Sequence, residues 1–342
     1  MKAVNARPST KITVTLYMRA DCHLCEQAEA DLKALQGEHP HRLVLVDVDS
    51  DPDLRKVYGF NVPVVEIGPY KLHAPLSRQD LAMTLGAAAD RQAQLKKVDD
   101  QAFQQALGRG QKMTRADRFS HWFSRHYLLV FNLLLLLYAG LPFLAPVFMK
   151  AGFSPAANVM RAIYSPLCHQ WGFRSWYLFG EQAFYPRQAA HMEGIISFEQ
   201  ATGITDENDP AHLLAREHMG SEILGYKVVL CQRDTAIWGA MLLFGLLFAA
   251  TGRRIPALHW SLWIVIGLVP VALDGFSQVL SQLGVDWINA LLPYRESTPL
   301  LRTLTGSLFG FATAWFGFPV VEETMRETRL FFVKKNVRSI KD

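Results

Sequence analysis

The chain has 342 residues, half of them hydrophobic and 19% charged, with a net charge of +4. No stretch combines dense Lys/Arg with interleaved aromatics, which argues against nucleic acid as a partner. Four cysteines are too few for the disulfide framework of a small secreted domain. The length suffices for two units at roughly 100–200 residues each. Composition separates them, because the first 120 positions read as soluble protein and the apolar excess lies beyond.

Met1 to Thr10 is polar, without an apolar run of the secretory kind. The first unit is therefore expected to stay on the side of the membrane where it is made. That side is usually reducing, so a close cysteine pair there points to redox or metal chemistry rather than a structural staple.

From Lys11 to about Leu85 the pattern is strand, helix, strand, strand, helix. Ile12 to Tyr17 is β-branched and apolar, as a buried strand should be. Glu26 to Leu35 has helical spacing, with Ala28, Leu32 and Leu35 on one side. Arg42 to Val48 and Asn61 to Ile67 read as two further strands, the latter with Pro63 near its start, where a missing ladder donor is tolerated. Cys22 and Cys25 then fall where a strand turns into a helix. Free backbone N–H groups and the positive helix end favour thiolate there, and only the thiolate attacks a disulfide. Cys22 is the expected nucleophile and Cys25 the resolving thiol, with His23 between them.

Over its first 85 or so residues the chain resembles the glutaredoxin-like family of thioredoxin-fold proteins. The resemblance rests on Leu16-Tyr17, Asp21-Cys22-His23-Leu24-Cys25-Glu26, Val46-Asp47-Val48-Asp49, Tyr58-Gly59 and Val62-Pro63-Val64. It implies a cis proline at Pro63 that faces the reactive sulfur and leaves a backbone edge for a substrate peptide. The competing expectation is a degenerate fold used only for docking.

Leu85 to Arg118 reads as one or two polar helices interrupted at Gly108-Arg109-Gly110. Arg115, Arg118 and Arg125 with Trp122 and Tyr127 then resemble an interfacial anchor. Four segments are apolar enough to span a bilayer: Tyr127–Phe148, Thr235–Thr251, Leu258–Leu280 and Leu301–Val321. Ser154–Leu167 is short and proline-broken, as a re-entrant or interfacial piece would be. Arg253-Arg254 between the second and third spans, and Arg326, Arg329, Lys334, Lys335, Arg338 and Lys341 after the fourth, follow the positive-inside rule if both termini are cytoplasmic.

That topology collects polar residues at the outer face: Cys168, His169, Arg174, Cys231, Asp234, Asp274, Gln278, Arg295, Glu296 and Arg302. Ionisable groups in a span are costly and usually paired or functional; Asp274 with Arg295 or Arg302 is the expected pair. From Ser165 to Phe318 the chain also resembles a bacterial membrane family known as domain of unknown function 2085. The residues concerned are Pro166 to Gln170, Arg174-Ser175, Cys231 to Gly239, Asp274 to Gln278 and Arg295 to Arg302 with Thr305-Gly306. The family usually has a second cysteine where this chain has Asp234, and Glu181 to Lys227 reads as an insertion.

Several uses of the outer cluster compete. Cys168, His169, Cys231 and Asp234 form a candidate zinc or iron site. Cys168 and Cys231 form a candidate disulfide on an oxidising side. Arg295, Arg302, Asp274 and Glu296 are candidates for recognising an anionic head group. The plainest alternative is a polar network that fastens the helices together. His191, His212 and His218 are expected to be solvated.

The expected architecture is an α/β thioredoxin-like soluble domain followed by an α-helical membrane domain of about four transmembrane helices. Its parts are a glutaredoxin-like domain (1–86), a polar helical linker (87–120), a four-helix membrane domain (121–325) with a long outer loop (149–230), and a basic cytoplasmic tail (326–342). The expected function is that of a membrane-anchored thiol–disulfide oxidoreductase with catalytic residues Cys22, Cys25 and Pro63, integral to a bacterial plasma membrane. The alternative is a non-enzymatic accessory, assembly or metal-handling subunit of a membrane complex. Expected partners are membrane lipid and a protein thiol or disulfide. No cofactor is certain.

Overall fold

The computed structural model describes residues 12–97, 113–283 and 285–339. The expectations for Met1–Thr10, Gly108–Gly110 and Lys341 lie outside the described residues. The chain divides into two compact units, one comprising residues 1–125 and 325–342 and the other residues 126–324.

In the first unit, β1 (Ile12–Met18), α1 (His23–Leu35) and β2 (His41–Asp47) form a β–α–β crossover in which β1 and β2 pair in parallel. α2 (Pro52–Tyr58) leads to β3 (Val64–Ile67) and β4 (Tyr70–His73), which extend the sheet in the order β2-β1-β3-β4 with antiparallel pairings. α3 (Arg78–Lys97) follows. Because β1 is central, Val14, Thr15, Leu16 and Tyr17 are all buried, which explains its unbroken apolar and β-branched sequence. Val14, Leu16, Val65 and Ile67 pack with Leu32 and Leu35 of α1 and with Leu81 and Leu85 of α3. The other core cluster joins Tyr17, Val44, Val46, Leu54 and Tyr58. Sequence reasoning missed α2 and β4; both are short, and β4 is largely exposed and lacks an apolar stripe.

Among the described residues, four helices are long and apolar enough to cross a membrane. The first span, Arg115–Lys150, consists of α4 (Arg115–Gly140), a 3₁₀ turn and α5 (Leu144–Lys150). α6 (Ser154–Tyr164), β5 (Ser175–Leu178), α7 (Phe198–Thr202), α8 (Leu213–Glu217), β6 (Gly220–Ser221) and β7 (Gly225–Cys231) build the long connection, with an antiparallel sheet in the order β5-β7-β6. This connection has its own core: Val228, Val229 and Leu230 pack with Tyr164, Ala157 and Ala145. α6 thus lends an apolar face to that core.

The second span is α9 (Gln232–Ala250) and the third is α10 (Trp260–Ser281). α10 includes a π-helical stretch, Trp263–Leu268, just before Pro270, as expected where a proline interrupts the helical ladder. After the short α11 (Asp286–Leu291) comes α12 (Pro299–Ser339), whose Pro299–Val333 portion is the fourth span. Its last turns group with the first unit. There, Leu330 and Val333 pack on the Tyr17 cluster, and Arg329 donates to Asp53 at 2.6 Å and to the Ser124 carbonyl at 2.8 Å. The tail expected as a merely basic segment therefore contains a buried structural arginine.

The second unit reverses the polarity of the first. Asp274, Gln278, Ser281, Glu296, Ser297 and Arg302 are buried, while Leu273, Phe276, Val279 and Leu280 are exposed. Apolar surface needs no shelter in hydrocarbon, so spans associate through close packing and polar contacts. Gly310 of α12 shows the close packing: a Cβ there would stand 2.1 Å from the Ile237 carbonyl oxygen.

Candidate functional sites

Cys22 sits at the N-cap of α1 with extended backbone angles, and its sulfur accepts a hydrogen bond from the Cys25 N–H at 3.3 Å. Asp21 turns the chain out of β1 at φ 55°, a left-handed conformation that Asp tolerates. Cys22 and Cys25 are disulfide-bonded, with 5.2 Å between their Cα atoms. Cys25 is fully buried and Cys22 half-buried, so an incoming sulfur can reach Cys22 more easily. The Val62–Pro63 peptide is cis, and Pro63 is buried, its carbonyl accepting from Ala74 N–H at 3.3 Å. Beside these two segments in the chain, Leu24 and Phe60 are well exposed.

The second candidate site occupies the end of the spans nearest the long connection. The Asp274 carboxylate accepts from Arg295 Nη2 at 2.9 Å, from Ser297 Oγ at 2.8 Å and from Arg233 Nη2. The Glu296 carboxylate accepts from Arg174 Nε and Nη2 at 2.8 and 3.1 Å, from Gln278 Nε2 at 2.8 Å and from Arg302 Nη2. Gln278 also accepts from Arg302 at 3.1 Å, and Arg302 Nε donates to the Ser297 carbonyl. Burial alone would raise the Glu296 pKa, but Arg174, Arg302 and Arg187 together hold its carboxyl below the usual range. The Arg174 guanidinium lies 4.5 Å from the centre of the Trp171 ring. Of the two partners expected for Asp274, Arg295 is in place. Arg302 instead serves Glu296, because it lies one helical turn into α12 and its fork turns back toward the residues just before Pro299.

Beside this network, Cys231 caps α9 and its sulfur accepts from Asp234 N–H at 3.5 Å. Cys231 N–H in turn donates to Cys168 Sγ at 3.4 Å. The two sulfurs and an Asp234 oxygen all lie within 4.8 Å of one another. Both thiols are free, so the disulfide anticipated for them is not formed in this structure. Contact between the two thiols lowers the Cys168 pKa against the effect of burial, and together with burial raises that of Cys231; Cys168 is the more acidic member of the pair. His169, expected as a ligand, does not join them. Cys168 faces the core, whereas His169 is exposed with its ring 4.9 Å from that of Trp171.

Two of the three histidines expected to be solvated are only partly exposed. His212 stands against Trp171 and Phe173, and His218 contacts Phe198, with burial holding its pKa below the usual value. Sequence reasoning also passed over Arg233 and Lys227. The Lys227 side chain is fully buried and donates to the carbonyls of Gln170 and Arg216 at 2.9 and 2.6 Å. Arg233 lies two residues after Cys231, in the first turn of the apolar second span, which was the available signal for a buried pair.

Residues 13–86 match the family model for a glutaredoxin-like domain (DUF836), and residues 221–316 match that for a predicted membrane protein (DUF2085). No curated protein and no solved structure matches the chain. The chain thus joins a segment similar to the glutaredoxin-like domain family to one similar to the DUF2085 family of predicted membrane proteins.

Proposed function

We propose that the protein is a membrane-anchored thiol–disulfide oxidoreductase whose reacting sulfur is Cys22. The observation that carries this reading is a half-buried Cys22 capping α1 and bonded to a fully buried Cys25. In the reduced form the Cys22 thiolate attacks a substrate disulfide, forms a mixed disulfide and expels one substrate thiolate. The Cys25 thiolate then attacks Cys22 Sγ, expels the second substrate thiolate and leaves the Cys22–Cys25 disulfide. Two electrons pass from the dithiol to the substrate, and a dithiol of the same compartment restores the reduced state. Helix-end N–H groups favour the Cys22 thiolate, and the Pro63 segment is assigned to presenting substrate. Exposed Leu24 and Phe60 suit a protein substrate rather than a small polar disulfide.

Both termini are assigned to the cytoplasm, on the strength of Arg253-Arg254 and the basic residues after the fourth span. The Cys168/Cys231 pair then belongs to the opposite side of a hydrocarbon core about 30 Å thick, too far for direct exchange with Cys22. Insulin reduction by the full-length protein in detergent tests the assignment, together with the ultraviolet absorbance of the thiolate against pH. Turnover with a Cys22 pKa clearly below the ordinary thiol value of about 8.5 is expected. An ordinary pKa without turnover would remove the enzymatic reading and leave an accessory or docking role.

A second reading rests on the three clustered donors. Cys168, Cys231 and Asp234 suit zinc or iron as ligands, and would make the membrane unit metal-handling. Metal analysis of the purified protein tests it: bound metal should fall in Cys168→Ser and Cys231→Ser, and unchanged stoichiometry in both eliminates it.

A further inference from the structure

The arginine network carries more positive charge than its carboxylates balance. Arg174 and Arg302 share Glu296, and Arg233 and Arg295 share Asp274. Two guanidinium charges are thus left without a carboxylate of their own within this network. At the margin of a low-dielectric membrane such a surplus is costly unless an anion or water meets it.

The surplus borders a cavity of about 360 Å³. Arg174, Arg233 and Gln282 form its polar side, and Gly275, Phe276 and Val279 of the third span form its apolar side. Arg174 and Arg233 are the two arginines that reach it, with side chains 20% and 21% exposed. Arg233 commits one amino group to Asp274, while its Nε is buried without a hydrogen-bond partner among the described residues. Its other amino group lies beside Gly275, where a Cβ would stand 3.6 Å from it in ordinary contact, so a longer side chain at 275 would extend into the space beside that group.

We infer that this cavity binds a phosphate group, held by Arg233 and Arg174, and that the apolar stripe of the third span accompanies an attached chain. Guanidinium forks match phosphate geometry and give strong, charge-assisted bonds. A phosphate monoester carries about −1.5 to −2 charge at neutral pH, which matches the surplus of two better than a carboxylate does. The volume lies toward the small end of the range for ligand sites, roughly 300–1,000 Å³.

The test uses full-length protein in a neutral detergent, with binding followed by native mass spectrometry. The probes are phosphatidic acid, phosphatidylcholine and inorganic phosphate. Phosphatidic acid should bind one to one and roughly tenfold or more tighter than phosphatidylcholine. Gly275→Leu fills the cavity without removing a charge and should abolish that preference while leaving the unfolding temperature unchanged. Arg233→Gln should abolish it too, and if that variant does not fold, Gly275→Leu decides alone. If inorganic phosphate binds in a manner lost in Gly275→Leu, while the two lipids bind equally, the phosphate site stands and its lipid source is rejected. Binding of every probe unaffected by Gly275→Leu overturns the inference, as does a failure of all three to bind.

Discussion

Two helices in this chain begin on a cysteine, and the comparison between them separates what local geometry does from what its surroundings add. Cys22 caps α1 and accepts from the N–H three residues on, at 3.3 Å; Cys231 caps α9 and does the same at 3.5 Å. In the glutaredoxin-like domain that third residue is Cys25, and the pair closes a disulfide. In the membrane domain it is Asp234, which cannot, and the Cys231 backbone N–H donates instead to the sulfur of Cys168, 63 positions earlier. The same helix-end N–H groups meet the sulfur in both places, yet at Cys231 the contact with Cys168 and burial raise the thiol pKa. Whether the capping sulfur closes a disulfide or stays a free thiol beside another depends on the residue one turn on and on the loop that brings Cys168 alongside.

The largest effect expected from breaking this comparison is on turnover. Cys22→Ser in the full-length protein should lose all insulin reduction, because serine provides no thiolate, while Cys231→Ser should keep it. Loss in both would mean that the two cysteine centres form one pathway. Next in size is a packing effect in the membrane domain, where helices meet backbone to backbone. Gly310→Leu should destabilise the protein by about 3 kcal/mol or more, since the clash is with a carbonyl rather than a movable side chain. Gly239→Ala, with open space around it, should be neutral or slightly stabilising. Unfolding in detergent distinguishes them, and equal behaviour would remove close packing from the account.

Asp234→Cys sharpens the comparison directly by giving the second helix the motif of the first. Under oxidising conditions Cys231 should bond to the introduced cysteine, seen as the loss of two hydrogens in the intact mass, with Cys168 left alkylatable. If Cys168 becomes blocked instead, the contact with Cys168 outweighs the helix-cap geometry.

How much of this was legible in the sequence depended on the distance between partners. Cys22, Cys25 and Pro63 were legible because a strand, a turn and a helix carry their signal within local stretches. The four spans were legible from hydropathy alone. Arg233 was missed because Asp274, which gives it meaning, is 41 residues away. Arg329 looked like one more positive charge of a tail, since nothing near it in the chain announces Asp53, 276 positions earlier. His169 misled for the opposite reason: adjacency to Cys168 suggested a shared site, but the two side chains face different ways. The order β2-β1-β3-β4 needed the short β4, whose exposed side chains leave little hydrophobic pattern.

The smallest effect concerns Lys227, a charge buried beside the second cysteine centre with no equivalent described near the first. Burial pushes its ammonium pKa from the ordinary 10.5 down to about 7, and Arg161 and Arg216 act in the same direction. Between about pH 7 and 10.5 the unfolded chain therefore holds a proton that the folded chain has released. Stability should rise with pH across that window, by up to about 1.4 kcal/mol per pH unit, and Lys227 should contribute no slope below it. The neutral amine still has hydrogens for the Gln170 and Arg216 carbonyls, so the fold is kept as the charge is lost. Lys227→Met should lower the stability of the alkaline form by leaving both carbonyls without that donor, and should flatten the slope. Cys168, lowered by its contact with Cys231, acts with the same sign, and Cys231, raised by that contact, with the opposite one, so the Lys227 share is the difference in slope between the wild type and Lys227→Met. Equal slopes in the two proteins would show that the lysine is not the group that titrates.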